Sequence, residues 1–506
     1  MASFLLGLPF TANRIGGPTA WTFRFHTYSW YLQDTFRANA RWTLNFGLRW
    51  DYMAPMNVAP GMGTFDYNTG QYYFDHTNPI TNQAPNLRSG GVEPDYRGYQ
   101  PRLGIAYQLS PKTVVRASFG IFDDIFGANQ QSPTGISGNW PYSFPQTLAS
   151  VNAVTPETYL ENPFPGPPVG SVTPQACAQC QNIEKGSTRN PYVEEWSVSL
   201  QRQITPSLLV EADYFGSHGV KLLGQVLDNV AAVASTTPIA QRARWPNFAP
   251  YVNNGFDEYM SWYHGLDLKL EKRYSRNLSF LVSYTFSKTL DQSDSLGNGN
   301  IYGQPTANPT RYNISMFKGP AGFDIRGRMS ASYNYDIPGQ TSNKWLDAAI
   351  AHWRLSGIVT VDSGVPFYPY LTTDNENIGI ASFGSPRYTE FPNLVCDPTQ
   401  GFQQTASAWF NTSCYQLPAF GTRGGAGRHA VYSQGLRNWD AAVNKQWPLG
   451  ETKSRSLQFR AEFFNALNAT TFDPAGVFFG TAGFGKVSST VRQPGRQIQF
   501  ALKLHF

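Results

Sequence analysis

Residues able to do chemistry are sparse in this chain and are not spaced for catalysis. Its seven histidines, His26, His76, His218, His264, His352, His429 and His505, are dispersed. None stands at the H-x-x-x-H spacing that puts two imidazoles on one helix face around a metal. No G-x-S-x-G elbow presents a nucleophilic serine. Asp123-Asp124 and Asp291 with Asp294 carry enough charge for a cation, but acidic loop residues are ordinarily just solvated. Two carboxylates for glycoside hydrolysis would meet in space rather than in sequence, and no spacing here singles out such a pair. The residues support no enzymatic activity and call for no cofactor.

The four cysteines form two local pairs, Cys177-Ala-Gln-Cys180 and Cys396 with Cys414. One C-x-x-C is half of a zinc site, and the second pair has the wrong spacing to complete it. The alternatives are a metal site and two disulfides, Cys177–Cys180 and Cys396–Cys414. Even pairing within long connections that face an oxidising exterior favours the disulfides. The remaining charges of interest are Arg49, Arg116, Glu211, Asp213, Asp267, Lys269, Glu271, Arg460 and Glu462. Each directly follows an apolar residue, so the elements around them decide where they point.

Those elements are strands. From Arg496 to Phe506, Ile498, Phe500, Leu502, Leu504 and Phe506 alternate with Gln497, Gln499, Ala501, Lys503 and His505. A period of two places the sets on opposite faces. An apolar row running through to an aromatic carboxy terminus suits a strand with lipid on one face and a wet lumen on the other. Phe500, Leu502, Leu504 and Phe506 have the form of the terminal assembly signal of bacterial outer-membrane barrels. The same alternation recurs at Leu44–Tyr52, Leu103–Leu109, Val115–Ile121, Trp196–Leu200, Val210–Tyr214, Leu266–Leu270, Leu278–Phe286, Met329–Ile337, Arg354–Asp362, Trp439–Trp447 and Leu457–Phe463. With Tyr28–Arg37 these make roughly thirteen strands of about nine to eleven residues, the length a tilted membrane strand requires. The nine charges then fall on the faces opposite the apolar rows. They would line the lumen, either touching a domain inside it or solvated there without a partner.

Short turns at Ala38-Asn39-Ala40, Ser110-Pro111, Thr205-Pro206, Ser275-Arg276 and Pro448-Leu449-Gly450 alternate with long connections near residues 53–100, 123–191, 217–260, 288–325, 365–436 and 468–494. Connections that long are out of place in a compact soluble domain. Outer-membrane barrels have short periplasmic turns and long extracellular loops. The predicted fold is therefore all-β: an antiparallel up-and-down transmembrane β-barrel, partial at about 13–14 strands, integral to the bacterial outer membrane. Its partners would be outer-membrane lipid and the barrel-assembly machinery. Composition agrees: only 14% of residues are charged and 15% are aromatic, and no run of eighteen apolar residues marks a membrane helix. The Gly (46) and Pro (36) residues concentrate in the proposed loops, and Gly421–Gly427 lacks the strand-to-helix context of a phosphate loop. Net charge is +5 without a basic run, which does not indicate a nucleic-acid partner.

Several motifs carry a family resemblance. Trp30–Arg37 followed by Leu44–Tyr52 resembles the paired strands of TonB-dependent outer-membrane receptors, as do Asn190–Gln201, Ser283–Lys288, Ser363–Phe367 and Phe459–Asn468. With the ending at Phe506, the set resembles the Oar-like branch, whose members carry a carboxypeptidase-regulatory-like domain before plug and barrel. The resemblance implies uptake across the outer membrane. An unknown ligand binds the extracellular loops, and the TonB system acts through a plug domain. Such barrels close with about twenty-two strands. Residues 23–506 are therefore expected to be the carboxy-terminal portion of the barrel, and residues 1–22 a loop remnant of a truncated amino-terminal part, with the plug missing. Met1–Phe10 has no basic n-region, the first basic residue being Arg14, and is no convincing secretory signal. The alternatives are a self-contained passive pore, a surface-binding barrel, and a secreted all-β carbohydrate-binding or hydrolytic protein. A partial barrel leaves two open edges that lipid cannot satisfy. Alone it is expected to curl into a smaller barrel or fail to insert.

Overall fold

Strict alternation folds into a meander in which each strand pairs with the next in sequence. A computed structural model describes residues 6–17, 20, 22–24, 26–54, 57–59, 61–87, 94–124, 140–150, 157–164, 190–246, 248, 250–293, 308–338, 349, 351, 353–380, 390–449, 455–487 and 493–506. Thirteen strands form one wall: β1 Thr27–Arg37, β2 Trp42–Met53, β3 Tyr99–Ser110, β4 Thr113–Asp123, β5 Tyr192–Thr205, β6 Leu208–Asp228, β7 Tyr251–Ser275, β8 Leu278–Asp291, β9 Gly327–Asp336, β10 Trp353–Asp362, β11 Arg437–Leu449, β12 Arg455–Phe464 and β13 Gln497–His505. All neighbours are antiparallel and in sequence order, and a short strand, Gly319–Pro320, adds to β8. Among the described residues β1 and β13 each pair on one side only, so the sheet is an open path.

The turns explain the order. Between β1 and β2 the Asn39 side chain accepts from the backbone N–H groups of Arg41 and Trp42, an Asx turn that reverses the chain in a few residues. Between β7 and β8, Arg276 and Asn277 take φ of 51° and 62°. That left-handed pair matches the twist of a two-residue hairpin. Longer connections leave the other end of the wall.

The apolar rows of the wall are exposed. Phe46, Leu103, Leu200, Leu268, Phe286 and Leu502 lie open on one face, and the terminal Phe506 is 90% exposed. In water such a surface would be untenable; in a bilayer it is what faces the acyl chains. The buried core is instead in the long connections. Phe317, Phe367, Tyr370, Phe391, Phe410 and Val477, drawn from the β8–β9, β10–β11 and β12–β13 connections, pack into one cluster. Leu227, Val230 and Ile378 form a second, and Phe65 and Tyr67 pack with Trp245 and Phe248. The loops are thus a folded layer above the wall.

Two boundaries differ from the sequence reading. Half of the segment expected as a loop at 217–260 is strand: β6 runs on to Asp228 and β7 begins at Tyr251. Three register shifts between Gly219 and Val226 break the period of two there, so alternation disappears while backbone pairing continues. The turn placed at Pro448-Leu449 is also strand, since Pro448 and Leu449 still pair with Ser456 and Arg455. Pro448 costs one ladder N–H, which strand ends tolerate. Within residues 1–22, Thr11–Gly16 pairs with Phe144–Ala149 of the β4–β5 connection.

Candidate functional site

The polar face of the wall is built strand by strand from register. Arg116 stands opposite Ser199, Ser199 opposite Asp213, and Asp213 opposite Asp267. Glu211 faces Lys269, and Glu271 follows two residues on. Arg49 lies between Tyr31 and Gln100 in the ladder, and Arg460 and Glu462 between Asn444 and Ala442 on one side and Ala501 and Gln499 on the other. All nine charges singled out in the sequence therefore share the face opposite the exposed apolar rows.

On that face the charges compensate one another locally. Arg49 meets Asp51 at 2.8 Å, and Gln100 donates to the same Asp51 carboxylate at 2.6 Å. Arg116 donates to Gln201 at 3.0 Å. Lys269 lies 3.8 Å from Glu211 and 3.3 Å from Glu271. Asp267 accepts from Thr285, and Arg460 pairs with Glu462. Just below the loop layer, a pocket of about 420 Å³ is walled by the hydroxyls of Ser217, Ser261, Thr285, Ser287 and Thr289 with Tyr263, Phe323 and Arg328. A second, also about 420 Å³, lies between β9 and β12 with Ser356, Asp440, Arg460 and Glu462 at its wall. Such surfaces offer many reversible hydrogen bonds.

The loop layer is fastened to the wall by buried ion pairs. Asp228, at the end of β6 and fully buried, receives two N–H groups of Arg311 at 2.9 Å each and Asn253 at 3.0 Å. Asp291, at the end of β8, pairs with Arg428 at 2.6 Å, and Arg428 also donates to the carbonyls of Phe317 and Pro320. Asp291 is one of the acidic residues weighed in the sequence for a cation, and a guanidinium holds it. Trp245 donates to the Tyr67 carbonyl at 2.8 Å, tying the β6–β7 connection to β2–β3. In the β10–β11 connection, Glu390 accepts from the backbone of Asn375 and Glu376. Burial pushes its carboxyl up to about 9, and the charges of Glu376 and Asp374 add to the rise. Burial also raises Glu376, against the pull of Arg423 at 2.8 Å.

A disulfide joins Cys396 to Cys414, with Cα atoms 5.0 Å apart; Cys177 and Cys180 lie outside the described residues. Among the described residues no cluster of three or more His, Cys, Asp or Glu side chains is arranged to hold a metal. Sequence reasoning missed Arg311, Arg428 and Glu390. Their partners lie far along the chain or in turns without periodicity, and no local pattern marks them.

The family model described as "Outer membrane beta barrel domain" matches residues 1–499. No curated protein matches the sequence. Among solved structures the chain is similar to the outer membrane transporter YddB from Escherichia coli, at 9% identity over 96% of this chain and 54% of that one, with a TM-score of 0.42. It is also similar to the siderophore receptor PiuA from Acinetobacter baumannii (10% identity, 95% and 43% covered, TM-score 0.42). A third is the ferripyoverdine receptor of the outer membrane of Pseudomonas aeruginosa (10% identity, 95% and 38% covered, TM-score 0.41). The chain spans about half the length of these structures or less.

Proposed function

The chain belongs to the outer membrane beta barrel domain family, and on that premise we propose that it supplies wall and ligand-binding loops to a TonB-dependent uptake receptor of the Oar-like branch. The observation that carries this reading is the division of labour in the fold. One face of the wall is open and apolar, the other is a field of compensated charges, and the long connections form a packed layer at one end. Residues 23–506 act as barrel and residues 1–22 as part of the loop layer. The loops capture the ligand, and Arg49, Arg116, Glu211, Asp213, Asp267, Lys269, Glu271, Arg460 and Glu462 face the lumen and meet a plug. The Cys396–Cys414 bridge braces the largest loop. Phe500, Leu502, Leu504 and Phe506 present the assembly signal to the insertion machinery.

The plug contact is the testable part. A photo-crosslinking amino acid placed at Ser330 of the polar face, in cells of the source bacterium, is expected to trap peptides of a soluble-type domain, identified by mass spectrometry. The same group at Leu268 is expected to trap lipid. If Ser330 traps no polypeptide and the purified chain gives steady conductance in planar bilayers, the receptor reading is wrong and the protein is a passive pore.

A further inference from the structure

The upper edge of the apolar face carries a feature that uptake does not use. On β7 the outward row reads Lys272, Leu270, Leu268, Leu266, His264 and Trp262. At about 3.3 Å per residue and the usual tilt near 40°, the ten steps from Lys272 to Trp262 rise on the order of 25 Å, the height of the lipid-facing band. Trp262 and His264 therefore stand at the headgroup level on the side of the long connections.

Around them stand two lysines and an aromatic stack. Lys318 holds its ammonium 3.8 Å over the Trp262 ring. His218, directly opposite Trp262 in the ladder, stacks on it at 5.5 Å with 18° between planes. Lys288 is opposite His264 on the neighbouring strand, is exposed, and makes no ion pair among the described residues. The Tyr214 hydroxyl lies 2.8 Å from His264 Nδ1. Glu194 sits 3.6 Å from His218, and among the described residues neither lysine meets a carboxylate.

One ammonium over the Trp262 ring and a second on the strand next to His264, at headgroup height, match a sugar-borne phosphate: charge for the phosphate, ring face for the sugar. We propose that this patch on β6, β7, β8 and the β8–β9 connection is a binding site for the phosphorylated glycolipid of the outer leaflet, with Lys288 and Lys318 as the phosphate contacts and Trp262 as the stacking platform. The site rests on the proposed orientation, with long connections outside. That premise is read separately by labelling a Lys318→Cys variant on intact cells with a membrane-impermeant thiol reagent.

The test is native mass spectrometry of the full chain in mild detergent, titrated with lipid A or with its dephosphorylated form. The wild-type chain is expected to retain lipid A and to prefer it over the dephosphorylated lipid. Lys288→Gln with Lys318→Gln is expected to weaken retention about twenty-five-fold, because each lysine near a lipid surface contributes on the order of fivefold. A control pair at the opposite end, Lys112→Gln with Arg273→Gln, removes the same charge and is expected to leave retention unchanged. Equal loss in both pairs, or equal retention of the dephosphorylated lipid, would overturn the site. Failed labelling at position 318 with intact lipid retention would instead overturn the orientation.

Discussion

At the scale of single residues, the most consequential groups are in the loop layer. Glu390 is buried with its carboxyl raised to about 9 from an ordinary 4.5. The folded chain therefore keeps a proton that the unfolded chain releases. Its stabilising contribution is complete below about pH 4.5 and is lost as pH rises through about 9. Hydrogen exchange at the Asn375 and Glu376 amides, which donate to Glu390, is expected to accelerate across that window. Glu390→Gln is expected to flatten the dependence, and an unchanged pH profile would show that Glu390 is not its source. Arg428 is different in kind. It joins Asp291 of the wall to the carbonyls of Phe317 and Pro320. Such pairs fix geometry more than they add stability, since desolvation offsets much of the attraction.

At the scale of elements, the wall was legible and the loop layer was not. Strand edges agree closely where lipid and lumen impose opposite chemistry on alternate residues: alternation predicts Tyr28–Arg37 and the strand is Thr27–Arg37, and it predicts Arg354–Asp362 where the strand is Trp353–Asp362. Above the membrane that constraint lapses. The upper halves of β6 and β7 keep their pairing through glycine-marked register shifts, and nothing in the sequence flags them as strand. The aromatic core of the loops joins Phe317, Phe391 and Phe410 from separate connections, a convergence no local period encodes. Register itself makes an energetic prediction. Leu268 stands on the apolar face and Ser330 on the polar one. Leu268→Arg near the middle of the band is expected to cost about 2–4 kcal/mol of folding into vesicles, and Ser330→Arg about 1 kcal/mol or less. Denaturant titration in lipid vesicles reads both, and equal costs would mean that the two faces see the same medium.

At the scale of the whole molecule, the wall is an antiparallel outer-membrane sheet that does not close on itself among the described residues. All eleven residues of β1 are exposed and its outer edge has no partner strand among them. Lipid offers no hydrogen bonds to such an edge, so in a membrane β1 and β13 must find strands to pair with. The central claim, that this sheet spans the outer membrane with lipid on one face and water on the other, is tested most directly by cysteine scanning of β7 from His264 to Glu271 in reconstituted vesicles. Nitroxide labels at the even positions are expected to collide with lipid-soluble oxygen, and those at the odd positions with a water-soluble nickel chelate, in strict alternation. Uniform access of the chelate to both sets, or protection of both sets from both reagents, would contradict the account.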